Sequence, residues 1–203
     1  MATKGSKTRE RILTEAERLV YARGYSGTPV DDIIAATGLT KGAFFYHFKT
    51  KQDLALSLLK RFWQRDVEIF GDLAKRARDL GDDPLQPALI FFRLFEETVK
   101  TTPEMPLKCL FASYLYEGEQ FDDTIHDYIR TSFGEWKAIF LDILEPVFAD
   151  RKPAIDVTAE DLAEMIMKLI EGAFVFAQAT DDRLALARAS EHFRRHLQLV
   201  FPQ

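Results

Sequence analysis

Between Thr28 and Lys51 the chain reads T-P-V-D-D-I-I-A-A-T-G-L-T-K-G-A-F-F-Y-H-F-K-T-K. Few folds accept that order of caps, glycines and apolar positions. Thr28 suits the N-cap of a short helix, Pro29 its first position, and Asp31 and Asp32 its first turn, where negative charge meets the helix dipole. Val30, Ile33 and Ile34 fall on one face. Gly38 suits the residue just past the helix end, where a positive φ is needed. Thr40 then caps a second helix, Lys41 to His47, with Phe44 and Phe48 one turn apart on its inner side. Two short helices joined by a glycine-containing turn form a helix-turn-helix, whose second helix enters the DNA major groove.

Charge supports that placement. The chain of 203 residues carries a net −5, so it is not basic overall. Residues 1–52 nevertheless hold nine Lys and Arg against five Asp and Glu, a net +4, and residues 53–203 hold 18 against 27, a net −9. A basic head on an acidic body fits a small DNA-binding unit attached to a part that does not touch DNA.

The rest of the chain reads as helices, with no repeats and no convincing strands. A first helix runs from about Lys7 to Arg23, with Ile12, Leu13, Ala16, Leu19 and Val20 as its apolar stripe and Gly24 at its end. Thr50 and Asp53 make a capping box for a long fourth helix reaching about Asp79, roughly 40 Å at 1.5 Å per residue. Further helices are expected at about 86–101, 106–117, 121–149, 159–180 and 183–201. Pro146 should kink or shorten the helix it occupies. Thr158 with Asp161 should cap the helix at 159, and Asp181-Asp182 the last one.

The segment L-T-K-G-A-F-F-Y-H-F-K-T-K, with Thr28-Pro29-Val30 and the first helix upstream, resembles the signature of the TetR family of transcriptional regulators. The close match covers about the first quarter of the chain. The resemblance implies an all-α fold: an N-terminal three-helix helix-turn-helix domain, residues 1–50, joined by a long helix to a C-terminal ligand-binding and dimerisation domain, residues 51–203. It also implies roles residue by residue. Thr28 would meet a phosphate from a helix N-terminus. Thr40, Lys41 and Gly42 would start the recognition helix, with Gly42 letting the backbone approach DNA. Tyr46 and His47 would contact phosphate or bases, and Lys49 and Lys51 would anchor phosphates. Position 45 is Phe where the family often has Tyr, so one hydroxyl is missing.

The helix at 159–180 is apolar on nearly all sides and needs cover all round. A partner subunit can supply it, which predicts a homodimer joined through Ile166, Ile170, Phe174, Phe193 and Leu197. The alternative is a purely intrachain core. The body is rich in aromatics, which more often form core than pocket. The resemblance implies an inducer pocket, and Phe92, Phe95, Cys109, Phe111, Tyr114, Trp136 and Phe174 are the candidate lining. Cys109 follows Lys108 at an expected helix start, where a thiol is activated. The segment is similar to one found in family members that sense electrophiles. Its other reading is a small residue packed in the core.

Catalytic and metal signals are weak. His192 and His196 are one turn apart but lack a third ligand, and there is no phosphate-binding glycine loop or G-x-S-x-G. No apolar run is long enough to cross a bilayer, the N-terminus lacks the apolar segment of a signal peptide, and one cysteine fits a reducing compartment. The expectation is therefore a cytoplasmic DNA-binding regulator without cofactor, a repressor released from a palindromic operator by a small-molecule inducer. The alternatives are an activator of the same fold, or a helical enzyme or carrier with a vestigial helix-turn-helix.

Overall fold

The computed structural model describes residues 4–81, 83–102 and 104–202. In chain order the helices are α1 (Lys4–Arg23), α2 (Val30–Thr37), α3 (Lys41–His47), α4 (Lys51–Leu80), α5 (Leu85–Thr101), α6 (Leu110–Tyr116), α7 (Asp123–Asp150), α8 (Ala159–Thr180) and α9 (Ala185–Val200), with a 3-10 turn at Gly118–Gln120. No strand occurs among the described residues. The chain divides into two compact units. One holds Met1–Gln64 with Leu110–Thr131, the other Arg65–Cys109 with Ser132–Gln203.

In the first unit, Ile12, Leu13, Ala16, Leu19 and Val20 of α1 are buried, together with Ile33, Phe44 and Phe48 of the helix-turn-helix and Leu54, Leu58 and Leu59 of α4. Full burial of each large side chain contributes on the order of 1.5–3 kcal/mol, enough to fix the small helices α2 and α3. The turn between them forms as the sequence predicts. Gly38 takes φ +62° and its N–H reaches Ala35 O and Ile34 O. Thr50 and Asp53 form a reciprocal capping box: Asp53 N–H donates to Thr50 Oγ1 at 3.0 Å, and Thr50 N–H to Asp53 Oδ2 at 3.0 Å. Arg9 adds a lateral tie, its guanidinium lying 5.0 Å above the Phe48 ring and donating to Ser57 Oγ at 3.0 Å.

In the second unit α9 packs on α5 and α8. The core is a lattice of rings. Phe92 meets Phe193 edge-on at 4.7 Å, and Phe140 lies near Phe70, Phe91 and Phe92. Glu96 of α5 is fully buried and accepts from Arg194 of α9 at 2.7 Å, with Arg93 at 3.3 Å. A charge buried that deeply is tolerable only because it is paired. Thr158 and Asp161 form the expected capping box on α8.

Three expectations need correction. The helix expected from 106 starts at Leu110, and the Leu107 carbonyl ahead of it accepts from Gln178 Nε2 at 3.0 Å. Pro146 does not shorten its helix, since α7 runs through it to Asp150. Asp181 closes α8 in the left-handed region, at φ 54°, instead of capping α9. Asp182 instead accepts from Leu184 N–H at 3.0 Å and pairs with Arg188.

Candidate nucleic-acid interface

α3 is held from below and open above. Phe44 and Phe48 are buried and anchor it to α1. Thr40 caps it, its Oγ1 accepting from Ala43 N–H at 3.2 Å. Thr40, Lys41, Gly42, Tyr46 and Lys49 are exposed, and His47 is half-buried. Tyr46 is 75% exposed. Lys41 pairs with Asp31 at 3.2 Å. Both side chains are solvated, so the pair is weak and readily exchanged for a phosphate. The space around Gly42 is open: a Cβ there would meet nothing within 4 Å. A side chain at 42 therefore costs the free protein nothing sterically. Gly42→Val should keep the melting temperature within a few degrees and reduce DNA binding about tenfold or more, as measured by fluorescence anisotropy. Unchanged binding would place position 42 away from DNA.

Two expected DNA contacts are turned inward. Thr28 is fully buried, and its hydroxyl donates to Gly24 O at 2.8 Å. It does not cap α2 either; Pro29 occupies that position. Lys51 is half-buried, its Nζ lying 4.0 Å from the Tyr25 ring centroid and donating to Tyr25 O at 2.7 Å. Burial lowers its pKa, partly opposed by the Glu117 carboxylate.

That carboxylate is the feature sequence reasoning missed. Glu117, just past the end of α6, accepts from Tyr25 N–H at 2.9 Å and Ser26 N–H at 2.6 Å. Burial pushes its carboxyl up. Bonds from the Ser26 hydroxyl, Ser26 N–H and Tyr25 N–H, with the Lys51 charge, outweigh that and hold the pKa below its usual value. Gly24 makes room: it adopts φ +77°, and a Cβ there would lie 2.8 Å from Glu117 Oε1. Beneath the turn, Phe121 stacks on Tyr114 at 4.5 Å and also meets Tyr25 at 4.5 Å. Nothing local in the sequence signals a contact across more than 90 positions.

Lys49 and Lys51 should therefore separate experimentally. Lys49→Ala should lower the slope of log K against log salt by about 0.9 and leave stability unchanged. Lys51→Ala should cost about 1–2 kcal/mol of stability through its hydrogen bond and ring contact, and leave the slope intact. An equal loss of slope in both would restore Lys51 as a phosphate contact.

The other candidate residues divide. Phe111 and Tyr114 lie in the first unit, whereas Phe92, Phe95, Cys109, Trp136 and Phe174 lie in the second. Phe92 and Phe95 are buried ring to ring in the core. Phe111 packs on Phe62 and Tyr128. Cys109 is buried and precedes α6, outside its first turn. Its thiol donates to the Glu171 carboxylate. Trp136 donates to Asp66. Among the proposed dimer contacts, Ile166, Phe193 and Leu197 are fully buried within the protomer and cannot meet a partner. Ile170 and Phe174 are half-buried. The outward apolar residues are instead Val175 and Phe176 on α8, Leu184 just before α9 and Leu199 on α9. α8 thus divides its apolar surface between an inner face and an outer one. Among the described residues, no group of three or more His, Cys, Asp or Glu is placed to hold a metal, and no helix is long and apolar enough to cross a membrane.

An exposed, capped recognition helix on a buried two-phenylalanine anchor, carried by an otherwise helical chain, defines a helix-turn-helix DNA-binding transcriptional regulator. Residues 12–58 match the family model described as bacterial regulatory proteins, tetR family. Residues 88–192 match the C-terminal domain described as transcriptional regulator LmrA/YxaF-like. The chain belongs to the TetR family. Among its relatives, the repressor DhaR of Mycobacterium sp. (strain GP1) is 23% identical over 95% of this chain and 90% of its own. The uncharacterised regulator YxaF of Bacillus subtilis is 24% identical over 94% and 95%. A TetR regulator of Chloroflexus aurantiacus shares the fold with a TM-score of 0.78 and 26% identity, covering 96% of each chain.

Proposed function

We propose that this regulator is a cytoplasmic homodimeric repressor, acting by binding rather than catalysis and released from a palindromic operator by a small-molecule inducer. The observation that carries the reading is the solvent-facing edge of α3: Thr40, Lys41, Gly42, Tyr46 and Lys49 are exposed above the buried Phe44 and Phe48. Repression is supported by the relative DhaR, a transcriptional repressor. The functional division falls near residue 50, with DNA reading before it and ligand binding and dimerisation in 51–203. The matched spans 12–58 and 88–192 support that division. Binding of the inducer favours a spacing of the two recognition helices that no longer fits successive major grooves.

The exposed Val175 and Phe176 on α8 and Leu199 on α9 support the dimer, because large apolar side chains left outside on both helices gain from cover. Phe176→Glu with Leu199→Glu should give monomers in sedimentation with the protomer still helical. A wild-type monomer at micromolar concentration would sink the dimer. Selection of bound duplexes from a random pool tests the whole reading. A two-fold site with half-sites one helical turn apart is expected, and failure to enrich any sequence would remove it. The selected site placed over a reporter promoter separates repression from activation.

A further inference from the structure

Two imidazoles stand on the outer side of α9. His192 is exposed and His196, one turn on, is half-buried. Among the described residues neither ring has a hydrogen bond, an ion pair or a ring contact. The rotation of α9 about its axis is fixed by its other side chains. Phe193 and Leu197 are fully buried, Ser190 donates to Phe92 O at 3.0 Å, and Arg194 donates to Glu96 at 2.7 Å. The flank of 190 and 194 therefore faces α5. Two residues further on is about 200° round the helix, so His192 and His196 lie on the side away from α5. Leu199 shares their flank and is 75% exposed.

The pair has the spacing of a chelate. Side chains one turn apart have Cβ atoms about 5–6 Å from each other. A zinc–imidazole bond is about 2.1 Å long. Both rings can thus meet one ion, as the two histidines of an H-E-x-x-H helix do. The arginines around the pair on α9 are already matched: Arg188 with Asp182, Arg194 with Glu96, and Arg195 with Glu191 at 2.6 Å. That limits the repulsion a dication would meet. Two imidazoles fill half of a tetrahedral shell. Among the described residues, no third His, Cys, Asp or Glu of the same chain is placed to join them.

A second copy can supply the other half. A two-fold interface sets the same patch of both copies together. The His192–His196 flank is continuous with the surface proposed for the dimer, since Leu199 belongs to both. Gly172 of α8 is exposed, and a Cβ there would meet nothing within 4 Å, so no side chain at that turn holds a partner off.

We propose that His192 and His196, with the same two residues of the partner subunit, bind one zinc ion across the dimer axis. The proposal rests on the reading that α8 and α9 join the dimer, and it adds an ion that ties the two copies together. Four imidazole nitrogens in a tetrahedral array suit zinc, which has no geometric preference of its own to oppose them. The ion stabilises the dimer, because a monomer offers it only half of the ligands.

The test uses the full chain without a histidine tag, freed of metal by a chelator. Titration with zinc chloride in a calorimeter should give one ion per two chains at micromolar concentration. His192→Gln and His196→Gln each remove two of the four ligands and should weaken zinc at least about tenfold. Both positions lie outside the core, and melting curves check that the variants fold. Zinc should raise the melting temperature of the wild type by several degrees and leave that of the variants unchanged. Cobalt(II) in place of zinc reads the geometry: four nitrogens give intense visible absorption, whereas a two-histidine site filled up with water gives a faint one. No zinc binding, one ion per chain with the faint cobalt spectrum, or undiminished binding by both variants each overturns the proposal. Sedimentation separates this result from the dimer itself. A dimer that takes up no zinc removes the site and leaves the dimer standing. A monomer both with and without zinc removes the two together.

Discussion

Glu117→Ala should destabilise the protein by about 2–4 kcal/mol and weaken operator binding tenfold or more, although residue 117 is far from the recognition helix in sequence. The carboxylate receives two backbone N–H groups of the α1–α2 turn, at 2.9 and 2.6 Å. Hydrogen bonds to a charged group are worth about 1.5–3 kcal/mol each, and here both are lost together. The loss also takes from half-buried Lys51 the negative charge of Glu117 that supports its protonation. Glu117→Gln keeps an acceptor and should recover about half of the effect. The pH dependence follows from the depressed carboxyl. Its stabilisation is present above the ordinary value of 4.5 and is lost as pH falls through the lower folded-state value. Urea unfolding of wild type and Glu117→Ala should therefore differ at pH 7 and converge in acid. A constant difference across that range would assign the effect to packing. Unchanged DNA binding despite the destabilisation would mean that the α1–α2 turn does not set the position of α3.

The elements legible in the sequence are those whose signals are local. Gly38, Thr40 and Thr50–Asp53 each act within four residues, so the helix-turn-helix and the start of α4 follow directly from residue type and spacing. The capping box at Thr158–Asp161 is legible for the same reason. What was not legible is set by partners far along the chain. Lys51 reads as a phosphate anchor until the Tyr25 carbonyl and ring claim it. Cys109 reads as helical, but α6 starts at Leu110, and the Leu107 carbonyl ahead of it meets Gln178 from 71 positions away. Periodicity marks α8 as apolar on nearly every side, but it does not tell which side another helix of the same chain will cover. Ile166, Phe193 and Leu197 belong to the inner core for that reason, and Phe176 and Leu199 remain outside.

Asp66→Asn should raise the stability of the free protein at pH 8 by about 2 kcal/mol and have almost no effect near pH 4. Burial pushes the Asp66 carboxyl up to about 7; the Arg65 charge and the Trp136 N–H pull it down, and Glu171 on α8 pushes it further up. The folded state thus holds a proton that the unfolded chain, with its ordinary value of 3.8, releases. Below that value both states are protonated and the residue costs nothing. Between 3.8 and about 7 the cost of ionising in the fold grows, and above about 7 it is fully present. Each unit is worth about 1.36 kcal/mol, which sets a ceiling near 4; partial exposure of the side chain reduces it to about half. Asn removes the charge and keeps an oxygen for Trp136. The Glu171 carboxyl is also raised by burial, so Glu171→Gln should act in the same direction. The double variant should gain less than the sum, because removing either charge relieves the other. Melting curves of the four proteins at several pH values decide the matter. A loss of stability on Asp66→Asn at pH 8 would show that the carboxylate is fully compensated in the fold. The expected gain means that this chain keeps a costly pair of half-buried acids on α4 and α8, a cost in stability that selection has not removed.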